Sequence, residues 1–118
     1  MDYKAYLPDI NVADGKARVM GNLKLYLRLL GRFDGAKLAG NITCAINDAD
    51  EKAVIQAAHA LRGTAANLAF PVVQQVAEEI ESLTKAGESC AHLTKPLNEA
   101  VTSLSAAIGR LLEEVSKG

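Results

Sequence analysis

The stretch from Lys52 to Leu68, which reads KAVIQAAHALRGTAANL, decides the fold of this chain. On a helical wheel at about 100° per residue, one face carries the larger apolar side chains, namely Val54, Leu61, Ala65 and Leu68, flanked by Ala57 and Ala58. An apolar stripe of this kind is typical of a helix that packs against a hydrophobic core. The preceding segment Asn47–Asp50 supplies a turn and N-cap residues, so the pattern predicts a helix over residues 50–68.

The same period of 3.6 residues recurs on both sides of this stretch. It predicts a short helix over residues 12–20 with Asn11 as its N-cap, a mostly helical stripe over 23–46, a helix from Pro71 to about Ala86-Gly87, and a last helix that starts near Ser89 or Pro96 and reaches Val115. Glycines at 31, 35 and 40 weaken the continuity of the second of these segments. Residues 1–11 read as an irregular arm, because Pro8 disfavours helix at Leu7.

These elements indicate one small helical domain. The chain has 118 residues, of which 49% are hydrophobic and 23% charged, an ordinary balance for a globular protein. Short connections place successive helices antiparallel. We therefore predict an all-α fold, an up-down antiparallel four-helix bundle with a short additional N-terminal helix, as a single domain over residues 1–118.

Charge and cysteine content argue against several classes of function. The formal net charge of -1 indicates neither nucleic-acid nor anionic-membrane binding. No stretch approaches the roughly 20 apolar residues of a membrane span, and the start MDYKAYLPDI lacks the features of a secretory signal. Cys44 and Cys90 have no CxxC spacing, so we expect reduced thiols in a cytoplasmic protein, without a zinc site.

The outer face of the helix over residues 50–68 carries an unusual set of side chains. On the wheel, His59 points away from the core stripe, and the residues within about 60° of it are Lys52, Ile55, Gln56, Arg62, Gly63 and Ala66. Gly63 costs about 1 kcal/mol of helix stability relative to Ala, on a side where no helix of the bundle requires clearance. Together with Ala66 it leaves a shallow surface beside the imidazole, while Arg62 and Lys52 add positive charge.

An exposed imidazole with open space beside it suits one type of chemistry. A neutral ring nitrogen is a competent nucleophile, yet the sequence contains no P-loop, GxSxG, HExxH or nucleotide-binding fingerprint that would build a complete active site. A partner would therefore have to supply the rest of the site. Phosphoryl transfer fits this division, because its catalysis consists mainly of positioning and charge neutralisation.

The string HALRGTAANL at residues 59–68 resembles the signature of histidine-containing phosphotransfer (HPt) domains. Further stretches are similar to HPt modules of hybrid sensor kinases, namely LPDI at 7–10, the Gly21-Asn22 break followed by Tyr26 and Phe33, and AEEIESL at 77–83 with Gly87 after it. The resemblance implies a helical bundle with an exposed phospho-accepting histidine in the middle of one helix. Arg62 stands where the family most often has Lys, and Ala69 where many members have Gly.

The resemblance also implies a role for each residue of the outer face. His59 would accept a phosphoryl group from a receiver-domain aspartate and pass it to another response regulator. Arg62 would support the phosphohistidine and Gly63 would give the receiver access, with Lys52, Gln56 and Ala66 completing the docking surface. The implied partners are receiver domains, which supply Mg²⁺, and a hybrid sensor histidine kinase. We expect a monomeric carrier, not a turnover enzyme, with no cofactor or metal of its own.

Three other interpretations remain open. The same surface could serve a docking or inhibitory module that binds receiver or kinase domains without being phosphorylated. The Leu97–Val115 stripe could mediate dimerisation, although such a stripe is far more often bundle core. An enzyme is the poorest of the three, because neither His59 nor His92 has metal-ligand or triad partners nearby in the sequence, and His92 reads as an ordinary surface or capping residue.

Overall fold

The computed structural model describes residues 3–117 and is helical throughout. Its six α-helices are α1 (Val12–Arg18), α2 (Leu23–Arg32), α3 (Gly35–Asn47), α4 (Glu51–Leu68), α5 (Pro71–Lys85) and α6 (Thr94–Lys117), with 3-10 turns at Tyr3–Tyr6 and Ala91–Leu93. The described residues contain no β-strand, and none of their helices is both long and apolar enough to cross a bilayer. The predicted all-α fold is confirmed.

Four helices, α3 to α6, form an antiparallel bundle. Each packs on the next along the chain, and α6 packs on α3, which closes the ring. The core between them is apolar and includes the fully buried side chains of Ile42, Leu61, Ile80, Leu97 and Leu104. Helix α1 contacts α4, and α2 contacts both α4 and α6. The N-terminal elements therefore cover one part of the bundle and leave the rest of α4 and α5 accessible.

Side-chain caps explain where most of these helices begin. Asn11, Asn22, Asp34 and Asp50 each accept a hydrogen bond from the backbone N–H three residues later, at 3.0–3.1 Å. Such caps satisfy a backbone donor that the helix itself leaves unpaired, and each contributes about 1 kcal/mol. Helix α5 has no capping side chain and begins instead with Pro71, whose missing N–H costs nothing there.

The stripe predicted over residues 23–46 consists of two helices, α2 and α3. Phe33 adopts an extended conformation between them, and its ring stacks edge-on against Phe70 with the centroids 4.9 Å apart. Asp34 then caps α3, and Gly35 is buried where an added Cβ would lie 2.7 Å from Val101 Cγ1. The aromatic contact of Phe33 and the cap at Asp34 separate α2 from α3. The apolar period alone does not reveal this break.

The irregular arm predicted over residues 1–11 is more ordered than expected. This holds for residues 3–11, because residues 1 and 2 lie outside the described range. It contains the 3-10 turn Tyr3–Tyr6, and Tyr6 and Ile10 are buried. The Tyr6 hydroxyl donates to the carboxylate of Glu114, and Ser103 donates to Asp9 at 3.0 Å. The arm is therefore packed on α6. Helix α1 ends two residues earlier than predicted, before Met20 adopts a left-handed conformation.

Contacts at the C-terminal end of α4 hold its rotation about its own axis. The Tyr26 hydroxyl donates to the carbonyl oxygen of Leu68 at 2.5 Å, and the N–H of Asn11 donates to that of Ala69 at 2.9 Å. Ala69 ends the helix in the left-handed conformation, with φ of 62°. The predicted core face of α4 is confirmed, because Val54, Ala58, Leu61, Ala65 and Leu68 are all buried. The opposite face is consequently directed outward.

Candidate functional site

His59 lies in the middle of α4, on its outward face. Its side chain is 63% exposed. Lys52, Gln56 and Gly63 on the same face are also exposed, while Ala66 is half-buried. A Cβ added at Gly63 would meet no atom within 4 Å. The structure thus places His59, Arg62, Gly63, Lys52, Gln56 and Ala66 on one face, as the wheel predicts, with open space next to the imidazole.

A carboxylate from the neighbouring helix lies against the imidazole. Glu81 of α5 is buried, with only 6% of its side chain exposed, and its Oε2 lies 3.0 Å from His59 Nδ1. Lys85 donates to the same oxygen at 2.9 Å, and Arg62 donates from Nε to Oε1 at 3.1 Å. A buried carboxylate is costly unless it is paired. These contacts with Arg62, Lys85 and His59 provide that pairing for Glu81.

The same contacts keep Glu81 charged. The hydrogen bond from Lys85 has the largest effect on its pKa, followed by burial, the hydrogen bond with His59 and the charge of Arg62. Burial alone would raise the pKa, because it disfavours the charged form. The cationic and imidazole contacts outweigh it, so the pKa of Glu81 lies below its usual value of 4.5. Glu81 is therefore an anion at neutral pH, positioned to accept a hydrogen bond from the imidazole.

The two ring nitrogens of His59 have different surroundings. Nδ1 lies 3.0 Å from Glu81 Oε2 and 2.9 Å from Arg62 Nη2. Nε2 has no hydrogen-bond partner among residues 3–117. Since the Nδ1 edge of the ring is turned toward α5 and the side chain is mostly exposed, Nε2 is the nitrogen that another molecule can reach. The site offers one accessible nitrogen backed by a carboxylate and two cations.

A profile of the Hpt domain family matches residues 32–116, more than two thirds of the chain. The chain belongs to the Hpt domain family. Hpt domains are phosphotransfer modules of two-component systems, and they interact with response-regulator receiver domains. The matched region begins at the end of α2 and contains α3, α4, α5 and all of α6 except its last residue, and it includes His59 and Glu81. No match was found among curated proteins or among solved structures.

Sequence reasoning about this Hpt domain missed Glu81 and Lys85. Residues 77–83 resemble other Hpt modules in sequence, but that resemblance assigns no role to any one of them. A wheel of α5 offers the missing signal, because Glu81 is offset by about 100° from the core residue Ile80 and precedes Lys85 by one turn. A carboxylate at the border of an apolar stripe, followed by Lys four residues later, indicates a partly buried ion pair.

The remaining polar candidates lie apart from this Hpt site. His92 is exposed on the 3-10 turn Ala91–Leu93, Cys44 is exposed on α3, and Cys90 is buried. The described part of the chain contains no group of three or more His, Cys, Asp and Glu residues that could hold a metal ion. The chemistry-bearing residues that the structure brings together are thus those around His59.

Proposed function

We propose that this Hpt domain is an intermediate of a phosphorelay, in which His59 accepts a phosphoryl group from the aspartate of one receiver domain and passes it to another response regulator. The observation that carries the proposal is the placement of His59. Its side chain is 63% exposed while its Nδ1 lies 3.0 Å from the buried carboxylate of Glu81. An exposed ring held from behind by an anion is the arrangement that a phospho-accepting imidazole needs.

The accessible nitrogen, Nε2, acts as the nucleophile. With the proton on Nδ1, directed at Glu81, Nε2 carries a lone pair that attacks the phosphorus of an aspartyl phosphate. The N–P bond forms as the P–O bond to the aspartate breaks, and the aspartate leaves as a carboxylate. The imidazole gains positive charge in this step, and the Glu81 carboxylate offsets it through the Nδ1–H hydrogen bond. The return of the group to a second aspartate reverses the same events.

Cations near the ring counter the negative charge of the phosphoryl group. Arg62 follows His59 by three residues on α4, and its side chain is 35% exposed. Lys85 lies on the other side of Glu81, with its side chain 57% exposed. Either can meet a phosphoryl oxygen with a small side-chain movement, and Arg62 has the forked donors that suit such an oxygen pair. We expect Arg62 to support the phosphohistidine.

The outward face of α4 serves as the docking surface. Gly63 and Ala66 present no bulky side chain next to the ring, so the rim of a receiver active site can approach the imidazole closely. Gln56 and Lys52 extend the surface about 10 Å toward the start of α4, at 1.5 Å rise per residue. The receiver contributes the Mg²⁺ and the groups that bind the phosphoryl oxygens, and the His59 side chain, which is 63% exposed, can enter the receiver active site.

Phosphoryl transfer to each histidine tests the proposal directly. The protein is incubated with a radiolabelled phosphorylated receiver and Mg²⁺, and the product is tested for an acid-labile, base-stable label. The chain has two histidines, so His92→Gln is the matched control. We expect the wild-type and His92→Gln proteins to accept label and His59→Gln to accept none. Label that persists in His59→Gln contradicts the proposal.

A docking module that is never phosphorylated is the second candidate. The open surface at Gly63 favours it, because receiver docking depends more on that clearance than on the ring nitrogen. This candidate predicts that His59→Gln binds the receiver as tightly as the wild-type protein and leaves the cellular response unchanged. Loss of the response with binding retained would instead support phosphoryl transfer.

A further inference from the structure

We propose that Arg62 keeps the resting His59 in the tautomer with its proton on Nε2, and that an incoming phosphoryl group withdraws Arg62 and thereby converts His59 to the nucleophilic tautomer. This inference rests on the proposed function and concerns the regulation of the same site. It makes Arg62 a positioning residue for the imidazole as well as a support for the phosphoryl group.

The inference starts from two contacts that compete for one nitrogen. His59 Nδ1 lies 2.9 Å from Arg62 Nη2 and 3.0 Å from Glu81 Oε2. A guanidinium only donates hydrogen bonds and a carboxylate only accepts them. In a neutral imidazole Nδ1 is either an acceptor or a donor, so it satisfies Arg62 or Glu81 but never both. Each choice fixes the proton of the other nitrogen.

The choice decides whether His59 can react. When Nδ1 accepts from Arg62, the proton is on Nε2, and the exposed nitrogen has no lone pair with which to attack. When Nδ1 donates to Glu81, the proton is on Nδ1, and Nε2 is nucleophilic. The tautomer held by Arg62 is therefore inert, and the tautomer held by Glu81 is active.

Two features favour the inert tautomer in the resting protein. Glu81 keeps two cationic partners when it loses the hydrogen bond with the imidazole, because its Oε2 accepts from Lys85 at 2.9 Å and its Oε1 accepts from Arg62 Nε at 3.1 Å. The same Nε–Oε1 contact anchors the guanidinium in the position where Nη2 meets Nδ1. A lysine at this position lacks the rigid planar fork, so its flexible ammonium does not fix one donor on Glu81 Oε1 and another on Nδ1 as the guanidinium does.

A phosphoryl group shifts the equilibrium between the two tautomers of His59 toward the one with its proton on Nδ1. Its anionic oxygens are stronger partners for a guanidinium than a neutral ring nitrogen, because the hydrogen bonds become charge-assisted. When Nη2 turns toward the phosphoryl group, Nδ1 is left facing Glu81. Nε2 then releases its proton to water and Nδ1 takes one from water, with no net proton change. The tautomer with a lone pair on Nε2 thus becomes the major one when a phosphoryl group is present to receive that lone pair.

The tautomer can be measured in the unphosphorylated protein without any partner. Nitrogen-15 NMR of imidazole-labelled protein distinguishes a protonated from an unprotonated ring nitrogen, at a pH high enough that the signals no longer change with pH. His92→Gln identifies the signals of His59. We expect the wild-type protein to carry the proton mainly on Nε2, and both Arg62→Ala and Arg62→Lys to carry it mainly on Nδ1. Arg28→Ala, which removes an exposed arginine of α2, should match the wild type.

Two results would overturn the inference: a wild-type ring protonated mainly on Nδ1, or an Arg62→Ala or Arg62→Lys ring with the wild-type tautomer. Neither result depends on whether the protein accepts a phosphoryl group. Label on His59 together with an unchanged tautomer in the Arg62 variants refutes only the switch. A tautomer that shifts as expected in a protein that accepts no label refutes the phosphorelay proposal and the phosphoryl-triggered step, and supports only the control of the resting tautomer by Arg62.

Discussion

Lys85 Nζ lies 2.9 Å from Glu81 Oε2, the same carboxylate oxygen that faces the imidazole of His59. The two residues are one helical turn apart on α5, so their contact forms within a single helix. His59 and Arg62 reach the carboxylate from α4. The Glu81 carboxylate next to the imidazole is therefore paired with Lys85 within α5 alone, and α4 adds the further contacts of His59 and Arg62. Lys85 thus belongs to the site although it does not share a helix with His59.

Removing Lys85 should raise the pKa of Glu81. The hydrogen bond from Lys85 is the largest of the effects that lower this pKa, and burial opposes it, so Lys85→Gln shifts the balance toward the neutral acid. A pH titration of the Glu81 carboxyl carbon by NMR measures the change. Lys95→Gln is a matched control, because Lys95 forms an exposed i,i+4 pair with Glu99 at 3.9 Å. An equal pKa of Glu81 in both variants would contradict the role of Lys85.

Glu81 should also shape the dependence of stability on pH. Because its pKa is lower in the folded protein than the ordinary 4.5, its contribution to stability is present above that value and is lost as the pH falls through the folded-state pKa. Glu81→Gln removes this contribution. We expect the variant to be less stable than the wild type at pH 7, by roughly 1 kcal/mol given the partly exposed partners, and to show a smaller loss on acidification.

Urea unfolding at a series of pH values between neutral and acidic tests this expectation. The difference in unfolding free energy between the wild type and Glu81→Gln should shrink as the pH falls below the ordinary glutamate value. A difference that stays constant across the series would show that the ionisation of Glu81 does not contribute to stability.

Clearance at Gly63 is a separate requirement. Gly63 and Gly109 are both exposed, both lie inside a helix, and an added Cβ meets no atom within 4 Å at either position. Leucine at either site should stabilise the helix by up to about 1 kcal/mol. Only Gly63→Leu lies next to His59, so we expect it alone to slow phosphoryl transfer from the receiver, by tenfold or more on an order-of-magnitude scale. Equal transfer rates in the two variants would contradict the clearance argument.

The orientation of His59 could be predicted from sequence because it depends on one helix alone. The apolar period of residues 52–68 determines which face of α4 is buried, and the exposed face follows directly. The contact with Glu81 could not be predicted in this way, because it depends on how α4 and α5 are rotated against each other. That rotation is set by packing between helices and is not encoded in the period of either one.

In the fold, too, some features follow from local sequence patterns, and others depend on contacts between residues far apart in the chain. The helix over residues 50–68 and its cap at Asp50 follow from local patterns, and the structure begins it at Glu51. The break between α2 and α3 depends instead on the stacking of Phe33 on Phe70, two residues far apart in the sequence. Ala69 likewise adopts the left-handed conformation that glycine favours, because the turn into α5 requires it.

Gly15 should be the glycine of the N-terminal helices least tolerant of substitution. It is buried in α1, and an added Cβ would overlap the ring of Tyr26. That ring is fully buried and its hydroxyl is bound to the carbonyl oxygen of Leu68, so it cannot move aside. We expect Gly15→Ala to lower the unfolding free energy by about 1–3 kcal/mol, as overpacking does in other cores.

Gly40→Ala is the control, since its added Cβ meets no atom within 4 Å. The unfolding free energy of this variant should rise by about 0.5–1 kcal/mol. Urea unfolding measures both, and a Gly15→Ala protein as stable as Gly40→Ala would show that α1 does not pack closely on Tyr26.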